Sequence, residues 1–455
     1  MFVFIKKIFL LFLLAGLISC QDEGPLPVDD DIASGGNTTV YGSYISIFQQ
    51  PANNITGADL NLHRAADVAF GSQFVTSPAL INAGLGPLFN QNSCESCHLS
   101  NGRSPFPYSS NDLEGLLIRL SVPGEGDHGE PLGAPGYGGQ LQTKAVYGKT
   151  AEALVTWQEE EIVELYADGK SVHLVKPIFH LENTYTIMGS DVMISPRMAT
   201  PIIGLGLLEA IEANDLLALA DPDDVNGDGI SGRPNMVWDV VKQQISIGRF
   251  GWKAGNPTLL QQTAGAYKED MGITNPLFPL ESSLGQSQGD SLVDDPEINL
   301  EILRTTAFYT QSLAVPGRRN SDDPQVKKGK ELFSTLNCSG CHHKSYLTGI
   351  NEFKFLSYQK IFPYTDLLLH DMGEGLADHR PEFQADGREW RTAPLWGIGL
   401  THVVGAHTRF LHDGRARSIE EAIMWHGGEA QQSRDDFKSL AEADRKALIS
   451  FLESL

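Results

Sequence analysis

The clearest periodic pattern of apolar residues lies at the end of the chain. Leu448, Phe451, Leu452 and Leu455 follow the i, i+3, i+4, i+7 spacing that places apolar side chains on one face of a helix. The pattern predicts a terminal helix that begins near Ser439.

Capping residues predict further helices. Asp323 followed by Pro324 is typical of a helix start, and Ser418 with Glu421 three residues later forms a capping box. The helix from Ser418 is expected to run through His426, where two glycines follow. Helices are also predicted at 207–220, 258–271 and 297–313.

The first residues resemble a targeting signal. Lys6 and Lys7 precede an apolar core that is too short to span a bilayer, so 1–19 is predicted to be a secretory signal peptide. The residues before Cys20 resemble a bacterial lipobox, which predicts a lipidated Cys20 and an anchor on the periplasmic side of a bacterial membrane. An ordinary signal peptide with a chance cysteine is the alternative. Residues 20–60 are expected to be an acidic, flexible tether.

Composition and charge narrow the possible partners. The 455 residues are 41% apolar, which is enough for two or three domains with apolar cores. Lys and Arg total 34 against 57 Asp and Glu, a net charge of −23. This balance argues against nucleic acid as a partner and favours a cationic redox partner.

Four cysteines form two identical motifs. Cys94-x-x-Cys97 is followed by His98, and a second such motif consists of Cys338, Cys341 and His342. C-x-x-C-H is the attachment signature of c-type haem, in which both thiols bind the haem and the histidine binds the iron. Zinc sites and thioredoxin-like pairs would need further ligands or a βαβ context, and neither is present. The sequence therefore predicts two covalently bound haems.

The two motifs suggest two haem-bearing halves. We expect a mainly α fold of cytochrome c-like haem domains with long irregular loops and minor β structure. The predicted boundaries are 61–320 for the N-terminal haem domain and 321–455 for the C-terminal cytochrome c domain. Residues 121–150, rich in Gly and Pro, are predicted to be loop or short strands. Met372, His412 and His426 are candidates for the remaining iron ligand of the second haem.

Several longer segments resemble the bacterial di-haem oxidoreductase family, which is related to the di-haem cytochrome c peroxidases. The resemblance covers roughly residue 60 to the C-terminus. It is carried by GLGPLFNQNSCESCH, SPRMATPIIGLGLLEAI, DPDDVNGDGISGRPN, IGRFGWKAGNPTLLQQTAGAYKEDMGIT, TDLLLHDMGEGLAD, EWRTAPLWGIG and FLHDGRARSIEEAIMWHGGEA. Relatives are often labelled thiol oxidoreductases, but here no free cysteine is left for thiol chemistry.

The resemblance implies roles for individual residues. In the peroxidases an E-A-V-x-x-Met segment supplies the distal ligand of the electron-transferring haem, and His426 stands at the position of that Met. We therefore predict His342 and His426 as the ligands of the second iron, with a lowered potential. Trp252 matches the aromatic residue between the haems, and Glu269 or Asp270 matches the glutamate that handles protons.

The distal ligand of the first haem and the partner of a haem propionate are further site assignments. No histidine matches the distal ligand of the first haem, and the candidates for it are His128, His173, His180 and Met188. Arg197 is expected to pair with a haem propionate.

A calcium loop is a further prediction. Asp224, Asn226 and Asp228 occupy loop positions 1, 3 and 5, as in Ca²⁺ loops, but position 12 is Asn235 instead of Glu. A plain turn is the alternative.

Two functions remain open from the sequence. The first is an exported enzyme that reduces hydrogen peroxide or a related oxidant, with electrons from a small redox donor such as a cytochrome. The second is a purely electron-transferring cytochrome whose irons are both six-coordinate and which has no substrate site.

Overall fold

The computed structural model describes residues 30–455 except 111, 291 and 293. The predicted signal peptide and Cys20 lie outside the described residues. Within the described part of the chain, no helix has the length and apolar character needed to cross a membrane. Residues 31–455 form one compact unit, and the proposed division at 320/321 stays a prediction.

The α-helices of the described residues have at most 15 residues each. They are α1 (Gly57–Gly71), α2 (Cys94–Cys97), α3 (Leu205–Glu209), α4 (Ala213–Leu217), α5 (Leu259–Met271), α6 (Leu300–Ser312), α7 (Pro324–Thr335), α8 (Thr401–Gly405), α9 (Ile419–Met424), α10 (Gln431–Ser439) and α11 (Glu442–Ser454).

The strands form small antiparallel sheets. They are β1 (Leu88–Phe89), β2 (Leu116–Glu125), β3 (Pro131–Leu132), β4 (Lys144–Ala145), β5 (Leu154–Leu165), β6 (Ser171–Glu182), β7 (Met193–Met198), β8 (Met236–Asp239), β9 (Gln244–Ile247), β10 (Tyr346–Leu347), β11 (Lys360–Ile361), β12 (Leu369–Asp371) and β13 (Glu389–Arg391). One sheet has the order β3-β2-β7, and the pairs are β1-β4, β5-β6, β8-β9, β10-β11 and β12-β13.

The expected mainly α fold is wrong. Helix accounts for 29% of the structure and strand for 20%, and cytochrome c-like helical haem domains are not evident. The largest missed element is the β5-β6 hairpin, which pairs from Leu154↔Glu182 to Leu165↔Ser171. A run of glutamates at 159–161 interrupts the alternation of apolar and polar residues in β5, so the strand pattern was hidden.

The predicted helix at 207–220 is also wrong, because the segment forms α3 and α4 with a break between them. Ile211 lies in this break and bridges to Thr348. Gly206 in α3 packs so closely on α6 that a Cβ there would lie 2.2 Å from the Gln311 carbonyl oxygen. Tertiary packing therefore determines the path of the chain here.

The other predicted helices are confirmed within three residues. α5 and α6 begin after Thr258 and Asn299, whose side chains accept hydrogen bonds from the first turn. Asp323 caps α7 and Ser418 caps α9 in the same way.

The helix α11 packs against α7, and this contact positions the second cysteine motif. Phe333 of α7 and Phe451 of α11 lie with ring centroids 5.3 Å apart. Gly329 allows the close approach, since a Cβ there would lie 2.0 Å from the Ala447 carbonyl oxygen. The second motif follows directly, with Cys338 three residues beyond the end of α7.

The segment assigned to the tether includes residues that pack into the fold. Ile47 and Phe48 are fully buried in the core that includes Phe308. Asp31 is buried and forms an ion pair with Lys330 at 2.7 Å.

Candidate di-haem site

One cavity of about 440 Å³ contains both cysteine motifs in its wall. Phe70, Ile202 and Leu208 line it from one core, and Phe333 and Leu448 line it from another. The six motif residues in the wall are Cys94, Cys97, His98, Cys338, Cys341 and His342. The chain therefore brings the two motifs to a common apolar space, although they are more than 240 positions apart in the sequence.

The four motif cysteines carry no disulfide. Burial raises the pKa of Cys94 and of Cys338 to about 12. Because the thiolate is the reactive form, neither residue has the character of a redox-active thiol such as a thioredoxin pair.

The motif histidines are held in one orientation. His98 donates a hydrogen bond from Nδ1 to the Thr200 carbonyl oxygen at 2.8 Å, and His342 donates from Nδ1 to the Tyr364 carbonyl oxygen at 2.9 Å. A carbonyl only accepts, so Nδ1 carries the proton in both rings. Burial lowers the pKa of each histidine to about 4, which keeps the rings neutral.

This arrangement fits haem. A neutral imidazole protonated at Nδ1 has its lone pair on Nε2, and a backbone acceptor on Nδ1 is the usual way that a metal-binding histidine is oriented. The cavity also supplies two thiols beside each histidine and an apolar wall. Two haems are therefore compatible with the residues present.

His426 lies in the same cavity wall as His342. Its Nδ1 donates to the Ala422 carbonyl oxygen at 2.7 Å, and burial lowers its pKa. A positive charge on His426 would add to the effect of burial in lowering the pKa of His342. Met372 and His412 also line the cavity.

Trp252 lines the cavity and packs against the same core as Phe333. Its Nε1 donates to the Met198 carbonyl oxygen at 2.8 Å, and its ring centroid is 6.5 Å from that of Trp390. Trp390 stacks on His412 with centroids 4.0 Å apart and an interplanar angle of 13°. The sequence analysis missed Trp390, although it lies in the quoted segment EWRTAPLWGIG, because nothing in that segment indicates which side chain faces the cavity.

The two carboxylates at the end of α5 differ in their surroundings. Asp270 lines the cavity and influences the pKa of both Cys94 and Cys97, whereas Glu269 does not line it. Burial raises the pKa of Asp270 to about 6. Despite burial, the positive charges of Lys268 and Arg119 lower the pKa of Glu269.

A network of buried charges lies beside the tryptophans. Arg197 contacts Glu382 at 2.7 Å and Asp378 at 3.7 Å, and Lys253 contacts Asp378 at 2.9 Å. Burial opposes ionisation of Asp378, but the charges of Lys253 and Arg197 lower its pKa overall. Nη2 of Arg197 is buried and has no hydrogen-bond partner. Sequence reasoning missed all of this network except Arg197.

The weaker ligand candidates for the first haem lie away from the cavity. His128 stacks on Trp238, His173 contacts Glu161, and neither His180 nor Met188 is in the cavity wall.

The predicted calcium loop is exposed. Its side chains accept backbone hydrogen bonds: Asp224 from Gly229, Asn226 from Asp228, and Asp228 from Ile230.

A search for similar proteins identified the cytochrome c551 peroxidase of Pseudomonas aeruginosa, which is 27% identical over 207 residues. The alignment covers 44% of this chain and 52% of that protein, so the chain spans about half the length of the curated relative it matches. No solved structure matches.

The family comparison covers far more of the chain. The match of the family model to this chain confirms the resemblance to the di-haem oxidoreductases. It also confirms the assignment as an oxidoreductase and the expectation of haem as cofactor. Residues 28–455 match the family described as "Di-haem oxidoreductase, putative peroxidase", and the chain belongs to that family.

Proposed function

We propose that this protein is an exported di-haem c-type oxidoreductase that reduces hydrogen peroxide, or a related oxidant, with electrons from a small redox protein. The observation that carries the proposal is the position of Asp270. Its carboxyl lies in the wall of the cavity that contains both cysteine motifs, and its pKa of about 6 suits proton transfer near neutral pH.

The stoichiometry explains the use of two haems. Hydrogen peroxide takes up two electrons and two protons and yields two molecules of water. When bound, the haems supply an iron that binds peroxide and the two electrons, one from each centre. A one-electron donor then restores the protein in two steps.

Attachment of both groups is assigned to the motif cysteines. Cys94 and Cys97 would hold the first haem and Cys338 and Cys341 the second, through thioether bonds. His98 and His342 would bind the irons through Nε2.

Asp270 would move the protons on the side of the first motif. Its Oδ1 accepts a hydrogen bond from Gln140 Nε2 at 2.8 Å, which fixes the carboxyl in place. The second oxygen, Oδ2, would accept a proton from one peroxide oxygen and return it to the other as the O–O bond breaks. The guanidinium of Arg119 lowers the pKa of Asp270 and so favours the ionised form that begins this step.

The second haem would receive electrons. His426 is proposed as the second protein ligand of the iron that His342 would bind, since both rings line the cavity and each donates its Nδ1 proton to a backbone carbonyl oxygen. Two imidazoles favour ferric iron and would lower the potential of this centre. Trp252 would lie on the electron path between the haems.

The remaining site assignments stay proposals. The donor is expected to be a small cytochrome or a similar cationic protein that is attracted to the acidic surface, and Cys20 is proposed to carry a lipid anchor on the periplasmic side. Arg197 would donate a hydrogen bond to a propionate from Nη2, which has no hydrogen-bond partner among the described residues. Ca²⁺ would bind at Asp224, Asn226 and Asp228.

A second function, electron transfer without a substrate site, requires two protein ligands at each iron. At the second haem, His426 fits this requirement. Its Nδ1 donates a hydrogen bond to the Ala422 carbonyl oxygen, which is the usual orientation of a histidine that binds a metal. If the first iron also has two protein ligands, no open position remains for peroxide.

The deciding experiment is a titration of the reduced protein with hydrogen peroxide, after a haem count. We expect two covalently bound haems per chain and two electrons lost per peroxide consumed. A reduced protein that holds both haems but is not oxidised by stoichiometric peroxide would favour the electron-transfer function.

A further inference from the structure

Six arginines line the cavity, and they differ in their counter-charges. They are Arg103, Arg119, Arg197, Arg249, Arg391 and Arg434. Arg197 and Arg434 form ion pairs with carboxylates. Arg119 and Arg249 form no such ion pair among the described residues, but each has an electrostatic interaction with a carboxylate. Arg119 lowers the pKa of Asp270, and Glu209 raises the pKa of Arg249.

Arg103 forms no ion pair with any carboxylate of the described residues. Its Nη1 donates to the Leu411 carbonyl oxygen at 3.3 Å, and its guanidinium lies 5.4 Å from the ring centroid of Trp252 and 5.9 Å from that of Phe410. Burial lowers its pKa to about 10, and no negative charge opposes this shift.

Arg391 is also buried and also lacks a carboxylate within ion-pair distance among the described residues. Its Nε donates to the Gly251 carbonyl oxygen at 2.9 Å, and its Nη1 donates to its neighbour's carbonyl, that of Thr392, at 3.2 Å. Burial lowers its pKa to about 10, opposed only by the more distant Asp366. It forms no ion pair among the described residues.

Both arginines contact the same short segment. The backbone N–H of Arg391 donates to the Trp252 carbonyl oxygen at 2.9 Å, while Arg103 faces the Trp252 ring. Two buried arginines that form no ion pair among the described residues therefore line the cavity at the segment around Trp252. A guanidinium withdrawn from water is costly unless an anion pairs with it, and its planar fork suits a carboxylate.

We propose that Arg103 and Arg391, which both contact the segment around Trp252, form two carboxylate-binding sites that hold propionate groups of the haems. This inference rests on the proposed di-haem function. It adds two positioning residues, which fix the haem carboxylates beside the tryptophan and neutralise the charge around it. A free carboxylate anion would offer the same chemistry, and the experiment separates the two sources.

The test is a spectroelectrochemical titration of the holoprotein with the variants Arg103→Gln, Arg391→Gln and their Lys counterparts. Loss of the cation stabilises ferric iron, so each Gln variant should shift the reduction equilibrium of one haem about tenfold, a fall of about 59 mV for one electron. The Lys variants should retain most of the wild-type potential. Where a Gln variant loses haem, retention of haem by the Lys variant supports the proposal, and loss in both contradicts it.

Arg64→Gln is the matched control. Arg64 is exposed on α1, where it bonds only to Asn61, and its loss removes the same charge outside the cavity. The proposal is overturned if the Gln variants keep the wild-type potentials or shift them no more than Arg64→Gln does. It is also overturned if added acetate at constant ionic strength lowers the wild-type potential, because the sites would then bind a free anion.

The same preparations separate this inference from the proposed function. A wild type that holds two haems and reduces peroxide, with unchanged potentials in the Gln variants, contradicts only the carboxylate sites. A wild type without haem, or without peroxide reduction, contradicts the function itself.

Discussion

Gln140 Nε2 donates a hydrogen bond to Asp270 Oδ1 at 2.8 Å and a second to the Glu269 carbonyl oxygen at 2.9 Å. The end of α5 is thereby fixed to the segment that follows β3. This contact holds the Asp270 carboxyl against the cavity wall, and it distinguishes Asp270 from its neighbour in the chain.

Replacing the carboxyl of Asp270 should abolish proton transfer without disturbing this contact, since an amide oxygen also accepts from Gln140. We expect Asp270→Asn to lower kcat for peroxide reduction by about 10²–10⁴-fold, the usual contribution of a general acid–base. Glu269→Gln is the control and should retain most of the activity. Equal losses in both variants, measured by steady-state peroxide consumption, would contradict the assignment.

The pH dependence follows from the pKa of Asp270, about 6. The step begins with the ionised carboxylate, so kcat/KM should be constant above pH 6 and fall tenfold per pH unit below it. Asp270→Asn should remove this acidic limb and leave a flat, low profile. If the kcat/KM profile of the variant still falls below the same pH, the titrating group is not Asp270.

The ligand at the second haem can be tested by exchange of His426 for Met. A thioether favours ferrous iron more than imidazole does, so the potential of one haem should rise by about 0.1 V, within the ~0.8 V range that axial ligands span. Met372→Leu is the control, because Met372 lines the same cavity. A potential shift in the control and none in His426→Met would identify Met372 as the ligand.

Stability should depend strongly on the buried pair of Lys253 and Asp378. Both side chains are enclosed, with Nζ 2.9 Å from Oδ1. Lys253→Met leaves the Asp378 carboxylate with hydrogen bonds from Ser195 and the Arg380 backbone, and Arg197 at 3.7 Å is then its one remaining ion-pair partner among the described residues. We expect a loss of about 3–5 kcal/mol in the free energy of unfolding. Lys446→Met breaks an exposed pair with Glu442 and should cost about 0.3–0.5 kcal/mol. Similar midpoints of urea unfolding for the two variants would contradict this account.

Local chemistry made part of the site predictable from the sequence. The attachment motifs are contiguous, and caps such as Ser418 act within one turn, so their positions follow from short stretches of chain. Asp270 and Glu269 could not be separated in this way. Which of them faces the cavity depends on Gln140, which lies 130 positions earlier in the chain.

The rest of the site depends on contacts between distant segments. The stack of Trp390 on His412 joins β13 to the turn before α9, and the ion pair of Lys253 with Asp378 spans 125 positions. The β5-β6 hairpin escaped prediction for a different reason. The consecutive glutamates at 159–161, all exposed, mask the alternation that identifies a strand.

The central claim is that one iron is open to peroxide while the other is fully ligated. Electron paramagnetic resonance of the holoprotein, fully oxidised and then reduced by one electron, tests it most directly. We predict a low-spin ferric signal from the haem bound by His342 and His426, and a high-spin ferric signal in at least one of the two states from the haem bound by His98. Low-spin signals alone in both states would mean two saturated irons and would contradict the peroxidase account.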